Sequence, residues 1–356
     1  MARFIALYLP QFHPIPENNE WWGPGFTEWR SVASAKPLFK GHVQPKIPRD
    51  LGFYDLRLEA TRVEQAQMAG EYGIDGFCYW HYWFGNGKRL LNIPFDEVVA
   101  SGKPDFPFCL AWANHSWYNK AWGGEGKDKL LIEQLYPGTE DYILHFNTML
   151  PAFKDKRYIR HEGKLLFLVF NPIDSPQMRN FISTWRRLAE ENGLDDFYFV
   201  GCTHYGRDKN KIFDYGYDAI YNDNTFAIYS RVSNFKKVLL KLNKKILGRP
   251  TVYNYKDAIK YMLTEEEEEE CVIPVITSNW DHSPRSGKKH SIFTNCEPRY
   301  FKALVERVCK IVSKKKNDLV IVKSWNEWGE GNYLEPDMEY GRGMLEALRD
   351  GRKESR

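Results

Sequence analysis

The chain has 356 residues, 43% of them hydrophobic and 27% charged, with 50 basic against 47 acidic side chains and a net charge of +3. That composition excludes the disordered, collagen-like and disulfide-scaffold classes, and a balance so even carries no footprint of a nucleic-acid binder. No apolar run approaches the roughly 18 residues of a membrane-spanning helix.

In chain order, eight short runs rich in β-branched and aromatic residues read as strands: 4–9, 74–80, 106–112, 165–170, 197–202, 217–221, 272–277 and 319–325. They are mostly continuous rather than alternating, the pattern of strands covered on both faces. Helical patterns fill gaps between them at 56–72, 141–153, 175–192 and 298–314, and Gly73 and Gly193 mark two helix ends. Eight strands alternating with helices predict a (β/α)8 TIM-type barrel. An open doubly wound sheet is the competing topology, but no G-x-G-x-x-G or Walker A segment follows the first strand. One barrel domain is expected over 1–350, with a frayed tail at 351–356. Residues beyond the barrel core fall into long loops at 10–55, 81–92, 113–139 and 278–297. Each follows a strand, so all belong to the C-terminal face, where barrel enzymes carry their sites.

Three of the six cysteines, Cys78, Cys109 and Cys202, sit inside apolar runs and read as small core hydrophobes in a reducing compartment. The first residues show no basic segment followed by a long apolar one, which predicts a cytoplasmic location. Segment 234–249 is basic and amphipathic, with Lys236, Lys237, Lys241, Lys244, Lys245 and Arg249 around Val238, Leu239, Leu242 and Ile246. It reads either as a solvated outer helix or as a peripheral contact with the anionic inner face of a membrane. The acidic run 265–270 is expected to be a solvated helix end or loop.

The aromatic content is the outlier: 12 Trp, 21 Tyr and 22 Phe. Sugars have apolar faces and polar rims, so rings beside Asn, His and Asp make a glycan cleft. Such mixtures cluster at the strand ends: Tyr8; Trp80, His81 and Trp83; Trp112 and Asn114; His204 and Tyr205; Trp280 and Asp281; Trp325 and Asn326. These are the candidate substrate-binding residues. The richest segment, after the last strand, runs Lys323-Ser324-Trp325-Asn326-Glu327-Trp328-Gly329-Glu330-Gly331. On one helical turn Glu327 and Glu330 would lie on one side, their Cβ atoms roughly 5–6 Å apart. Two close carboxylates do not ionise independently, which gives an acid and a base for an acetal bond. Gly329 and Gly331 would let backbone approach a ligand. No metal-ligand spacing, nucleophilic triad or cofactor motif accompanies them, and neither metal nor cofactor is expected.

These segments carry a family resemblance. Ala6-Leu7-Tyr8-Leu9-Pro10-Gln11-Phe12-His13, Gly25-Phe26-Thr27-Glu28-Trp29, Gly76-Phe77-Cys78-Tyr79-Trp80-His81-Tyr82-Trp83, Trp112-Ala113-Asn114 and Trp325-Asn326-Glu327-Trp328-Gly329-Glu330-Gly331 resemble the WbsX-type, glycoside hydrolase family 99-like proteins, over nearly the whole chain. The resemblance implies a (β/α)8 barrel and a retaining glycoside hydrolase or transglycosylase acting on an α-linked, mannose-containing glycan in cell-surface polysaccharide metabolism. The route it implies passes through a 1,2-anhydro sugar, with Glu327 as base on the 2-hydroxyl and Glu330 as acid, then base, at the leaving oxygen. Two alternatives stay open: a glycosyltransferase of O-antigen or other surface-polysaccharide biosynthesis, and a barrel that binds carbohydrate without turnover. The expected partner is an oligosaccharide or a lipid-linked glycan.

Overall fold

The eight expected strands are present, and all run parallel. The structure, a computed structural model, describes residues 2–119, 129–234, 237, 238, 240, 242, 246 and 248–354. The strands are β1 (Arg3–Tyr8), β2 (Gly76–Trp83), β3 (Phe108–Trp112), β4 (Lys164–Val169), β5 (Phe197–Thr203), β6 (Ala219–Asn222), β7 (Val272–Thr277) and β8 (Leu319–Lys323). Each pairs with its sequence neighbours, and β1 pairs with both β2 (Ile5 with Gly76) and β8 (Arg3 with Leu319), which closes the barrel. Strands β3 and β7 are buried at every position, as strands between a packed interior and a ring of helices must be.

The expected helices appear as α1 (Glu59–Glu71), α2 (Thr139–Phe153), α3 (Met178–Glu191) and α4 (Pro298–Val312). In α3, Met178, Phe181, Ile182, Trp185, Leu188 and Ala189 are buried, the three- and four-residue spacing of one helical face. Trp185 anchors that face, 4.8 Å from the Phe167 ring of β4 and 5.4 Å from the Phe153 ring of α2.

Strand β2 departs from expectation. It runs three residues past the predicted end because the chain turns back and pairs antiparallel, Tyr82 with Leu90 and Trp83 with Arg89. Residues 80–83 therefore alternate in direction as a strand does. Trp80 and Tyr82 face the barrel mouth, whereas His81 and Trp83 face α2. There His81 Nε2 lies 2.8 Å from His145 Nε2, and the Trp83 ring stacks on His145 at 4.3 Å.

Burial lowers the pKa of both histidines well below the ordinary value, with nearby cations adding to the effect. The unfolded chain therefore binds more protons than the folded one below the unfolded histidine pKa of about 6.5. Stability from the pair is full above that pH and falls as pH drops below it, by about 1.4 kcal/mol per pH unit for each ring. The melting temperature is expected to fall between pH 7.5 and 5.5. His145→Phe, which keeps the stack on Trp83, should flatten that dependence.

Three smaller expectations change. Residues 351–353 continue the last helix, α5 (Gly343–Lys353), in which Gly351 is buried and Arg352 lies over the Phe4 ring and donates to the Ala2 carbonyl; residues 355 and 356 of the expected tail lie outside the described residues. The acidic run is not wholly solvated either. Glu267 is buried in a 3-10 turn, accepting from Asn222, Asn224 and Thr264. Within 234–249, residues 235, 236, 239, 241, 243–245 and 247 lie outside the described residues. Val238, Leu242 and Ile246 are described, and all three are exposed. No helix among the described residues is long and apolar enough to cross a membrane.

Candidate active site

The strand ends at the C-terminal face surround one cavity of about 770 Å3. Trp80 and Tyr82 from β2, Trp117, Phe170, Phe226 and Trp280 give it aromatic walls. Glu327, Glu330, Arg285, Asp223 and Lys323 supply charge. The segment after β8 is a hairpin with one turn of 3-10 helix at its tip rather than an α-helical turn. Asn326–Glu327 pairs antiparallel with Asn332–Tyr333, and the link between them is a short 3-10 turn, Trp328–Glu330. That hairpin still puts both glutamates on the cavity side.

Arg285 sits between them. Its Nη2 donates to Glu327 Oε1 at 2.5 Å and its Nη1 to Glu330 Oε1 at 2.6 Å. A third carboxylate, Glu28, takes Nε at 2.8 Å and Nη2 at 3.0 Å. Three carboxylates, two buried and Glu330 partly exposed, thus share one guanidinium, too little positive charge for all to ionise freely. The result separates the pair. Burial pushes the Glu327 carboxyl well above the usual range, and Glu330 and Glu28 add to this against the pull of Arg285. Burial pushes Glu330 the same way, but Arg285, His282 and Lys323 outweigh it and hold Glu330 low. These directions favour the proton on Glu327 and the charge on Glu330. That is the reverse of the order implied by the resemblance.

A second charged station faces the same space. Lys323 donates to Asp223 Oδ2 at 2.7 Å and lies 4.9 Å over the Trp280 ring. Burial alone would raise the Asp223 carboxyl, yet Lys323 and His204 bring it down to about 2.

Of the residues proposed from sequence, Glu327, Glu330, Trp80, His204 and Trp280 line the cavity. The others do not. His81 and Trp83 point to α2 for the reason given. Trp112 is buried and donates its indole N–H to the Trp83 carbonyl. Trp325 is fully buried against Phe77. Tyr205 is exposed outside the cavity, under the Arg207 guanidinium.

Tyr8 donates to Gln65, which donates to Glu335. That buried carboxylate also accepts from Tyr54 and Trp328. The two strand-end amides are clamps rather than sugar ligands. Asn114 bonds the Asn171 backbone at both N–H and C=O, and Asn326 does the same to Leu9. Asp281 is spent on His42, Gln44 and the Ser283 N–H. Gly329 and Gly331 make room for protein, not ligand: a Cβ there would meet Glu28 Oε1 at 1.6 Å and the Asp281 N at 2.6 Å. Asp223 also follows a barrel strand, but it stands in an Asn-Asp-Asn run without the tryptophans and histidines that mark other strand ends, so sequence gives it no signal. Arg285 and Glu28 come from loops far apart in sequence, and only folding joins them.

Among the described residues, no group of three His, Cys, Asp or Glu side chains is arranged to hold a metal ion. A family model described as "Glycosyltransferase WbsX" matches residues 4–348. The chain belongs to the WbsX family. A curated relative, the uncharacterized protein WxcX of Xanthomonas campestris pv. campestris (strain B100), is 34% identical over 355 residues, covering 98% of this chain and 49% of its own. The chain thus spans about half the length of the curated relatives it matches.

Among solved structures, a glycoside hydrolase-like protein aligns with TM-score 0.56 at 16% identity, covering 98% of this chain and 93% of its own. The GH99 endo-alpha-mannosidase of Bacteroides thetaiotaomicron aligns with TM-score 0.54 at 14% identity, over 99% and 97% of the two chains. Those likenesses agree with the closed barrel found here.

Proposed function

We propose that the WbsX-family barrel cleaves or transfers an α-linked sugar residue of a surface glycan, with Glu327 and Glu330 dividing the proton work. The observation that carries this reading is the pair itself: two carboxylates in one aromatic-walled cavity, on separate nitrogens of one guanidinium. In the first step Glu327 gives its proton to the leaving oxygen as the C1–O bond breaks. Glu330 takes the proton of the 2-hydroxyl, whose oxygen closes on C1. In the second step a water or sugar hydroxyl attacks C1 and passes its proton to Glu327, while Glu330 returns its proton to the 2-oxygen. Two displacements at C1 retain configuration, and the choice between water and sugar decides hydrolysis or transfer. Incubation with α-mannan fragments and lipid-linked oligosaccharides, followed by product sizing and anomer analysis, tests this. Binding without any product would leave a carbohydrate-binding barrel.

The family's description favours a second reading, transfer from a nucleotide-activated sugar. Calorimetric titration with common nucleotide sugars separates the two, since the first requires no such binding.

A lipid-linked substrate would place the chain at the cytoplasmic membrane face. Exposed Val238, Leu242 and Ile246, among the lysines of 234–249, support such a contact. Sedimentation with anionic liposomes is expected to show binding that weakens with salt. Equal partitioning after Lys236, Lys237, Lys241 and Lys244 are all changed to Glu would rule the contact out.

A further inference from the structure

Glu28 has no part in the proton transfers just described, yet it sits against the groups that make them. It opens the helix Glu28–Ser34 in the loop after β1, and its side chain is 0% exposed. It is absent from the cavity lining, so it touches no substrate there. Its two oxygens grip one edge of Arg285, at Nε and Nη2, which leaves Nη2 and Nη1 directed at Glu327 and Glu330 respectively. A two-point grip fixes the plane of a guanidinium as a single bond does not. Burying a third carboxylate is costly, and a fold would dispense with it if Arg285 needed only two partners. A separate observation agrees. One of the two residues between the working carboxylates is Gly329, where a Cβ would lie 1.6 Å from Glu28 Oε1 and 2.8 Å from Arg285 Nε. The catalytic loop is cut away at the point where Glu28 enters.

We propose that Glu28 is a positioning residue: clasping Arg285 through the gap at Gly329, it holds the guanidinium in the plane that meets Glu327 and Glu330 with separate nitrogens, and so decides which of them keeps the proton. The inference rests on the reading of those two glutamates as the working pair. The charged and titratable groups facing them are Glu28, Arg285, His282, Lys323, Tyr82 and His115. Of these, Glu28 is the carboxylate that repels charge on both. Without it, Arg285 is shared by two of these carboxylates rather than three, and Glu327 ionises at lower pH.

The test is Glu28→Gln in the full chain, read first by carboxyl carbon-13 NMR titration with the Glu327 signal assigned by its loss in Glu327→Gln. The midpoint of Glu327 is expected to fall by about one pH unit, a tenfold change in the proton equilibrium. The alkaline limb of kcat/KM should move to lower pH by the same amount. Gly329→Ala, which keeps the Glu28 charge but displaces its grip, should shift the same limb and carries the test if Glu28→Gln does not fold. An unmoved Glu327 midpoint in a folded variant overturns the proposal, as does a uniform loss of kcat with an unchanged pH profile. A moved midpoint in a chain that turns over no glycan upholds the proposal and overturns the enzymatic reading instead.

Discussion

Glu327→Gln and Glu330→Gln should each lower turnover of an unactivated glycan by about 10²–10⁴-fold, the usual loss when a general acid or base is removed. Their responses to the leaving group should differ. If Glu327 holds the proton, Glu327→Gln recovers much of its rate on an aryl glycoside whose phenolate leaves without protonation. Glu330→Gln stays slow on both substrates, because the 2-hydroxyl still lacks its base. The opposite pattern would restore the order implied by the family resemblance, with Glu330 as the acid. Undiminished cleavage of the glycan by Glu330→Gln would remove the pair from the mechanism altogether.

The largest stability loss in the neighbourhood of the site is expected at Glu335. Its carboxyl is fully buried and accepts from Tyr54 Oη at 2.8 Å, Gln65 Nε2 at 2.6 Å and Trp328 Nε1 at 2.6 Å. Burial pushes it up to about 7, with those donors pulling against the shift. Glu335→Ala strands three buried donors beside a new cavity, at roughly 3–5 kcal/mol. Glu335→Gln keeps the shape and one acceptor oxygen and should cost less than half of that. Urea unfolding of the two variants checks the order. Because Trp328 begins the turn that ends at Glu330, the alanine variant should also lose activity before it unfolds, whereas a loss of stability with unchanged kcat would confine Glu335 to packing.

The barrel was legible from periodicity alone, since parallel strands buried on both faces leave continuous apolar runs that little else produces. The two candidate glutamates could be picked out as well, because two carboxylates between glycines and tryptophans beyond the last strand are conspicuous, and both line the cavity. The lining was read less well, for one reason repeated. A strand end holds residues of both directions, and sequence shows their types without showing where the strand stops. Ending β2 at 80 left His81 and Trp83 free to be ligands; the hairpin to Leu90 carries the strand past them and turns both outward. Asn114 and Asn326 look like sugar-binding amides, but a barrel rim must satisfy its own unpaired peptide groups first, and they do that. Arg285 joins loops more than 200 residues apart in the chain, a juxtaposition that spacing does not record.

The notch at Gly329 ties two distant positions into one choice. A side chain at 329 and an acid at 28 compete for a single volume, so the order in which they change matters. Alanine at 329 should be harmful while the acid is present and much less so once position 28 is shortened to alanine, when only Arg285 Nε at 2.8 Å must give way, which makes the double variant sturdier than the sum of its parts. Across relatives of this barrel, a bulkier residue at the notch is therefore expected only where the acid opposite has already gone.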